Sequence, residues 1–265
     1  MLTIHLKIFI RNLFRNKSQS LITIFGLTVG IACTALILLW VSDELSYDRF
    51  LQHSDEIYRI LGNDVLIGDM AVTCSPLAGY LQNNYPEVVD ATRYMPYAGA
   101  TFTSGENMFA IDKGVFLDPA FFAIFSTEFI RGDSVSALSD LSSIVLTRST
   151  AERFFADENP MGKTLLMDGQ SPMTVTGVVA DPPVNSQIQF RYLINVEVLQ
   201  YIGMPLDSWD NAAFHTFIQV REDTRIPALN ASITNIMSEQ IPGFNRTLYL
   251  QPLTDIHLTS DIAYD

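Results

Sequence analysis

The stretch LITIFGLTVGIACTALILLWV, residues 21–41, decides how this chain is organised, because none of its 21 residues is charged. At about 1.5 Å of rise per helical residue it would be roughly 31 Å long, the thickness of a bilayer's hydrocarbon core. A helix satisfies its own backbone hydrogen bonds in lipid, so the stretch is predicted to be a transmembrane helix. It divides the chain into a short basic leader, residues 1–20, and a large acidic domain, residues 42–265.

The charges on either side of this helix predict its orientation. Residues 42–265 contain all 29 acids and 12 of the 16 Lys and Arg residues, a net charge of −17, which argues against nucleic acid as a partner. Such a charge needs no further function than to keep the domain soluble. Cationic flanks stay in the cytoplasm, so we expect a cytoplasmic N-terminus, a single pass and an outer main domain. The leader has no acid, and its basic residues are Lys7, Arg11, Arg15 and Lys17.

The leader permits two interpretations once a cleaved signal peptide is set aside. The apolar run is longer than that of most signal peptides, and no A-x-A cleavage pattern follows it, so an uncleaved anchor is predicted. Leu2, Leu6, Phe9 and Leu13 share one side of a helical wheel. The leader is predicted either to form an amphipathic helix along the inner membrane surface or to act only as the positive flank of the anchor.

Small residues within the anchor suggest a surface for a second helix. Gly26 and Gly30 form a G-x-x-x-G pair, the spacing that lets two membrane helices approach closely. Ordinary glycine usage in membrane helices explains the pair equally well. The two cysteines, Cys33 in the anchor and Cys74 beyond it, are not expected to pair, and Cys74 is predicted to be a buried thiol.

The acidic domain is predicted to have an α+β fold. Strands and helices are interleaved without a regular βαβ rhythm, and about 220 residues suffice for one large domain or two small subdomains. Alternating and apolar runs predict strands at residues 56–62, 88–95, 108–117, 143–147, 162–167, 173–180, 189–196, 215–221 and 247–253. Helices are predicted at residues 76–84, after residue 118, after residue 149, and at residues 226–240.

Several local signals predict how these elements begin and turn. Asp118 is predicted to cap the helix that follows Pro119. Ser149 opens a capping-box pattern with Glu152 three residues later. The pair at residues 168–169, Asp-Gly, predicts a hairpin turn between two strands.

Motifs for catalysis are absent from the sequence. It contains no G-x-S-x-G, no Walker lysine loop, no H-E-x-x-H and no C-x-x-C. Asp255 with His257, or His53 with its acidic neighbours, could supply two metal ligands, but no third ligand is evident near either pair. We therefore predict a chain that is not an enzyme, with no catalytic, cofactor-binding or metal-binding residues of its own.

A set of short blocks, none specific alone, follows the order known in one family. The blocks are RNLFRNKSQSLITIFGLTVGIA (11–32), YDRF (47–50), IYR (57–59), DPAFFAIFS (118–126), GD (132–133), a long block at 144–186 with NPMGK and GVVAD, and LTDIHL (253–258). In this order they resemble the MacB/FtsX-like ABC transporter permeases that carry a MacB-like periplasmic core domain. The resemblance covers nearly the whole chain.

The resemblance implies a function in transport across the bacterial inner membrane. Such permeases pair with a cytoplasmic ATPase that binds the ATP, they form dimers or permease pairs, and they transmit the ATPase cycle to periplasmic domains for export or mechanotransmission. Here residues 21–41 would be a rigid link in contact with membrane lipid. Asp43, Tyr47, Asp48 and Phe50 would form the membrane-to-domain junction where motion enters a non-catalytic domain.

One departure from the family keeps other functions open. Family members continue with three more membrane helices, through which the ATPase is contacted, so this sequence is expected to be the N-terminal portion of a longer permease. The alternative is a complete single-pass anchored module that binds or senses a ligand outside the membrane. An anchored hydrolase is disfavoured by the missing nucleophile motifs. A reading frame that continued after Asp265 into three apolar spans would favour the permease.

Overall fold

The computed structural model describes residues 15–105 and 107–259, together with His5, Arg11 and Ile262. The chain divides into two compact units, Met1–Ser46 and Tyr47–Asp265. The second unit contains the predicted acidic domain from Tyr47 onward, and its division into one domain or two subdomains stays a prediction.

The first unit is built on helix α1 (Lys17–Glu44), which contains all of residues 21–41. None of its residues is buried, and within the described residues it is the one helix long and apolar enough to cross a membrane. The hydroxyls of Thr28 and Thr34 donate to the carbonyls of Ile24 and Gly30, at 2.7 and 2.9 Å, so these polar groups are satisfied within the helix. The predicted apolar stripe of the leader lies outside the described residues.

The second unit alternates strands with short helices. Its strands are β1 (Ile57–Asp64), β2 (Gly68–Met70), β3 (Thr73–Cys74), β4 (Val88–Ser104), β5 (Asn107–Leu117), β6 (Phe129–Arg131), β7 (Ser143–Thr147), β8 (Thr164–Met167), β9 (Ser171–Val179), β10 (Tyr192–Asn195), β11 (Ala212–Val220) and β12 (Arg246–Pro252). Its helices are α2 (Leu77–Asn84), α3 (Ala120–Ile124), α4 (Arg148–Phe155), α5 (Val198–Tyr201), α6 (Ile226–Ile233), α7 (Ile236–Gln240) and α8 (Ile256–Thr259).

The strands form one mixed sheet in the order β12-β1-β11-β4-β5-β10-β7-β9-β6. The β10–β5 and β7–β9 pairs are parallel and the other pairs are antiparallel, which confirms the predicted α+β class. Strand β8 pairs with both β4 and β9, so the path β4-β5-β10-β7-β9-β8 closes on itself. Closure satisfies backbone groups that an open edge would expose.

Three apolar clusters form the core. The first combines side chains from all six strands of the closed path with Phe154 and Phe155 of α4. The second gathers Leu51, the phenylalanines of α3, and Leu253 and Ile256 near the end of the domain. The third lies where α2, α6 and α7 cover β1, β11 and β12, and it contains Cys74, which confirms the predicted buried thiol.

Both predicted helix caps are wrong. Thr147 caps α4 by accepting from the backbone N–H of Thr150, while Ser149 bonds instead to the carboxylate of Asp181. Asp118 makes no side-chain cap bond to α3, because its carboxylate is held by an arginine on β4. In each case a partner distant in sequence competes with the local cap.

The helix predicted at residues 226–240 is also wrong in its continuity, since α6 ends at Ile233 and α7 begins at Ile236. The carbonyl of Thr234 accepts from Leu248 of β12 at 3.0 Å, and the Asn230 side chain accepts from Leu250 at 2.7 Å. The break therefore covers the outer edge of the last strand of the sheet.

The Asp-Gly turn at residues 168–169 is confirmed as the hairpin between β8 and β9. Both Asp168 and Gly169 have positive φ angles, 49° and 71°. Asp168 is also bonded to Thr101 of β4 in both directions, through its N–H at 2.7 Å and its carboxylate at 2.8 Å. The turn therefore contributes to the closure of the strand path.

Candidate functional site

The first residue of the second unit is held by α8, the last helix among the described residues. The ring of Tyr47 stacks on the ring of His257 in α8, with centroids 3.4 Å apart and planes within 5°. Aromatic stacking of this kind adds about 0.5–1.5 kcal/mol beyond burial of the rings. The chain segments that enter and close the domain therefore meet, and Tyr47 is fixed where the domain begins.

Asp48 binds the entering chain to a second distant segment. Its N–H donates to the carbonyl of Asn185 at 3.0 Å, and its carboxylate accepts from the Ser186 hydroxyl at 3.1 Å and from the Gln187 N–H at 3.2 Å. The residue is buried and has a positive φ of 55°, a conformation that aspartate tolerates better than most residues. Three hydrogen bonds across some 138 positions make Asp48 the main anchor of this segment.

The pKa of Asp48 is raised above the ordinary value of an aspartate carboxyl. Burial is the largest cause, because it disfavours the charged form. The hydrogen bonds from Gln187 and Ser186 and the proximity of His257 oppose that rise. The carboxylate is therefore kept in place by its donors at an electrostatic cost.

Phe50 and Leu51 complete the entry of the chain. Leu51 is buried in the second core cluster, whereas Phe50 is 47% exposed. Phe50 borders a cavity of about 320 Å³ whose walls include Phe121, Phe125 and Phe190. The entering segment thus lies against α3 and the segment before β10, and a displacement of it would disturb the aromatic core directly.

The predicted junction residues are divided between the two units. Tyr47, Asp48 and Phe50 belong to the second unit, whereas Asp43 lies in the last turn of α1 in the first unit. The backbone carbonyl of Asp43 accepts from the N–H and the hydroxyl of Ser46, at 2.9 and 2.7 Å, and so ends the helix. Their roles in coupling stay predictions.

Gly26 and Gly30 occupy positions on α1 where an added Cβ atom would meet none of the residues that the structure describes. A Cβ atom built at either position has no neighbour within 4 Å, the nearby backbone of the helix aside. The described residues therefore give no packing reason for glycine at these positions. Their role in helix packing stays a prediction.

Sequence reasoning missed an ionic network between β4, α3 and the end of β10. The guanidinium of Arg93 contacts Asp118 at 3.2 Å and Glu197 at 2.5 Å, and it also donates to the Ser75 hydroxyl. Burial is the largest influence on Asp118 and raises its pKa, although the charge of Arg93 opposes the rise. No pattern in the sequence connects these residues, which come from four separate segments.

A second cavity, of about 650 Å³, was also not predicted. It is lined by buried Arg59 and His215 together with Tyr94, whose ring stacks on that of His215 at 4.9 Å. Two nitrogens of Arg59 donate to the same side-chain oxygen of Gln251, at 3.0 and 2.7 Å. Across the described part of the chain, no three His, Cys, Asp or Glu side chains lie close enough to hold a metal ion.

This combination defines a class of protein: an apolar helix followed at once by a closed mixed-sheet domain whose ends meet. A family model described as the MacB-like periplasmic core domain matches residues 20–236. The chain belongs to this family, and it is a MacB-like ABC transporter permease with a periplasmic domain. One apolar helix before such a domain fits a protein of the inner membrane. No curated protein sequence matches the chain.

Solved structures share the fold of the chain at low sequence identity. A domain assigned to a permease from Porphyromonas gingivalis is 24% identical, with a TM-score of 0.67 over 76% of this chain and 92% of that one. The periplasmic region of MacB from Actinobacillus actinomycetemcomitans is 14% identical, with a TM-score of 0.58 over 77% and 91%. The extracellular domain of the noncanonic ABC-type transporter YknZ from Gram-positive bacteria is 13% identical, with a TM-score of 0.55 over 74% and 99%.

Proposed function

We propose that this chain couples ATP hydrolysis by a cytoplasmic ABC ATPase to movement of its periplasmic domain, for export or mechanotransmission. Helix α1 is the link, with its N-terminus in the cytoplasm, and residues Tyr47–Phe50 receive its motion. The observation that carries the proposal is the anchorage of Asp48, which ties the entering chain to residues 185–187 by three hydrogen bonds. A segment held this firmly moves the domain with it instead of yielding.

The shortness of the connection supports this proposal. Helix α1 ends at Glu44, and only Leu45 and Ser46 precede Tyr47, which is already stacked on His257. A continuous helix transmits displacement along its axis, and a two-residue connector leaves little slack. The domain acts in this scheme as a moving part, and ATP binds to the partner ATPase.

The experiment is to lengthen that connector. A Gly-Ser-Gly-Ser insertion after Leu45 leaves α1 and the Asp48 anchorage intact but adds flexible chain. The full-length permease and its ATPase would be placed in nanodiscs, with a spin label at Val135→Cys in a Cys33→Ser background. We expect an ATP-dependent change in the distance between labels in the parent protein and its loss in the insertion variant.

The control is the same insertion between Glu222 and Asp223, two exposed residues after β11. This variant should keep the ATP-dependent distance change, and both variants should still copurify with the ATPase. If the distance change survives the insertion after Leu45, α1 is not the mechanical link.

We further propose that α1 packs against a second membrane helix, in a homodimer or a pair of permeases. Gly26 and Gly30 lie one turn apart, and a Cβ atom at either position would have no neighbour within 4 Å among the described residues. Gly30→Leu should therefore leave the fold intact and weaken the dimer, whereas Thr28→Leu, on another side of the helix, should not. Dimer dissociation in detergent measures the difference, and equal affinity of the two variants would contradict the proposal.

A further inference from the structure

The tip of the β1–β2 hairpin presents three consecutive apolar side chains to solvent. Val65, Leu66 and Ile67 are 78%, 93% and 54% exposed. Single exposed apolar residues are ordinary, but a run of three at the end of a hairpin is unfavourable in water unless it meets a partner. We call residues 65–67 the apolar tip.

The turn that carries the apolar tip is organised by its own polar neighbours. The Asp64 carboxylate accepts from the Leu66 N–H at 2.9 Å, and the Asn63 amide donates to Asp69 at 2.6 Å across the hairpin. Gly68 has a φ of 87°, which allows the chain to return into β2. These contacts order the turn, so binding through the tip would lose less conformational entropy than binding through a loop without them.

Arg246 of β12 braces this turn from the side. Its guanidinium lies 3.6 Å from the Asp64 carboxylate and 5.0 Å above the ring of Phe244. A Cβ atom at Gly62 would lie 2.8 Å from Cδ of Arg246, so glycine at that position lets the arginine cross β1. The brace is independent of the apolar side chains, which stay free to contact another molecule.

The apolar tip lies far from the segment where the chain enters the domain. Strand β1 has eight residues and runs from Ile57, close to the entry, to Asp64 at the tip. At about 3.3 Å per residue the seven steps between these two ends span roughly 23 Å. The tip is thus at the opposite end of β1 from the Asp48 anchorage and forms a separate surface.

We infer that the apolar tip docks into a second protein outside the membrane, in an apolar pocket bordered by Lys or Arg side chains. The tip is convex, so its partner must be concave. Residues 63–70 contain two acids and no Lys or Arg, and residues 42–265 carry a net charge of −17. This charge disfavours an equally acidic surface of a second copy, or anionic lipid head groups, as the occupant that meets the tip, and it attracts a basic rim.

The test uses the full-length protein in its native membrane, with a benzophenone amino acid at Leu66. The matched control position is Val135, which is 86% exposed in a different loop. We expect light-induced crosslinking from position 66, and not from position 135, to one protein that mass spectrometry identifies and that carries Lys or Arg near the adduct. Crosslinking only to a second copy of this chain, only to lipid, or to nothing would overturn the inference.

Binding to the purified crosslinked protein then separates a functional contact from proximity. The variant Val65→Ser/Leu66→Ser/Ile67→Ser should weaken binding at least about 100-fold, because three apolar anchors are lost. Asp64→Ala, which keeps all three apolar side chains but loosens the turn, should weaken it less, by about 3–10-fold. Unchanged affinity of the triple variant, with an unchanged circular dichroism spectrum, would overturn the inference. The connector insertion after Leu45 should not affect crosslinking, so this surface and the coupling proposal can fail separately.

Discussion

Replacing Asp48 with alanine is expected to lower the free energy of unfolding of the domain by about 1–3 kcal/mol at pH 7. The Gln187 N–H would lose its carboxylate acceptor at 3.2 Å, and an unsatisfied buried donor costs about 1–3 kcal/mol. Alanine at a φ of 55° adds about 1 kcal/mol, and removal of a buried charge offsets a similar amount. The Ser186 hydroxyl keeps a second acceptor, the carbonyl of Ile188 at 3.4 Å.

The matched variant is Asp48→Asn, which keeps an acceptor oxygen and tolerates positive φ but has no charge. Its stability should lie within about 1 kcal/mol of the wild type at pH 7. The two variants share the loss of charge and differ in the hydrogen bonds and in the cost of a positive φ, which is about 1 kcal/mol for alanine. A difference in stability greater than that cost therefore reports the anchorage.

The difference in stability between the wild type and Asp48→Asn should change with pH in a definite direction. The pKa of Asp48 is raised in the folded protein, so the folded state holds the proton more tightly than the unfolded state. This contribution to stability is complete below the ordinary carboxyl pKa and is lost as pH rises through the raised folded pKa. The wild type should therefore lose stability relative to Asp48→Asn between acidic pH and pH 7.

Urea unfolding of the full chain in detergent, followed by the fluorescence of Trp209 in a Trp40→Phe background, measures these differences. Trp209 packs edge-on against Tyr80 at 5.4 Å and reports on the domain alone. Equal stability of the alanine and asparagine variants would refute the anchorage. A wild type that gained stability relative to Asp48→Asn with rising pH would refute the assigned direction of the pKa shift.

Three further predictions concern the core. Arg93→Met should lower the free energy of unfolding in urea by about 2–3 kcal/mol, since Asp118 would lose its counter-charge but keeps partial access to water. Gly114→Ala should lower the free energy of unfolding by about 3 kcal/mol, because the added Cβ would lie 2.3 Å from the Tyr192 ring. The control, Gly79→Ala on the open face of α2, should cost far less, because a Cβ atom there has no neighbour within 4 Å. Burial raises the pKa of Cys74 to about 11, so iodoacetamide at pH 8 should alkylate it at least about 100-fold more slowly in the folded protein than in urea, measured by mass spectrometry in a variant lacking the other cysteine.

Elements whose signals are local could be predicted from the sequence. The apolar run at residues 21–41 lies inside α1, and strand β7 has the bounds that its apolar residues predicted. The Asp-Gly pair at residues 168–169 predicted a turn because two consecutive positive φ angles favour those residue types. These features depend on neighbours within a few positions.

Elements whose backbone groups bond to distant segments could not be predicted. Ser149 and Asp118 have the residue types of helix caps, yet both bond to side chains or backbone far away in the chain. The helix α6 ends before Thr234, because the Thr234 carbonyl accepts a hydrogen bond from the N–H of Leu248 in β12. A cap signal in the sequence indicates that a side chain can accept a hydrogen bond from the nearby helix N-terminus. The tertiary structure decides whether a stronger partner is present.

The candidate junction also combines a location that the sequence predicts with contacts to distant segments that it does not predict. The resemblance to the permease family predicted that Tyr47, Asp48 and Phe50 belong to the junction between membrane and domain. Their partners, residues 185–187 and His257, lie more than 130 positions away, and no spacing in the sequence connects them. The sequence predicted where motion would enter the domain but not how the entry is held.

The sequence alone determined that an uncharged helix of bilayer length precedes an acidic α+β domain, because helix length, charge and strand alternation depend on each residue and its near neighbours. Only the tertiary structure decided that β8 closes the strand path, that Asp48 is anchored to residues 185–187, and that the apolar tip stands exposed on a braced turn. Those features are pairings between surfaces that meet only after the chain has folded. Many pairings satisfy the same local pattern, and the shared core selects one of them.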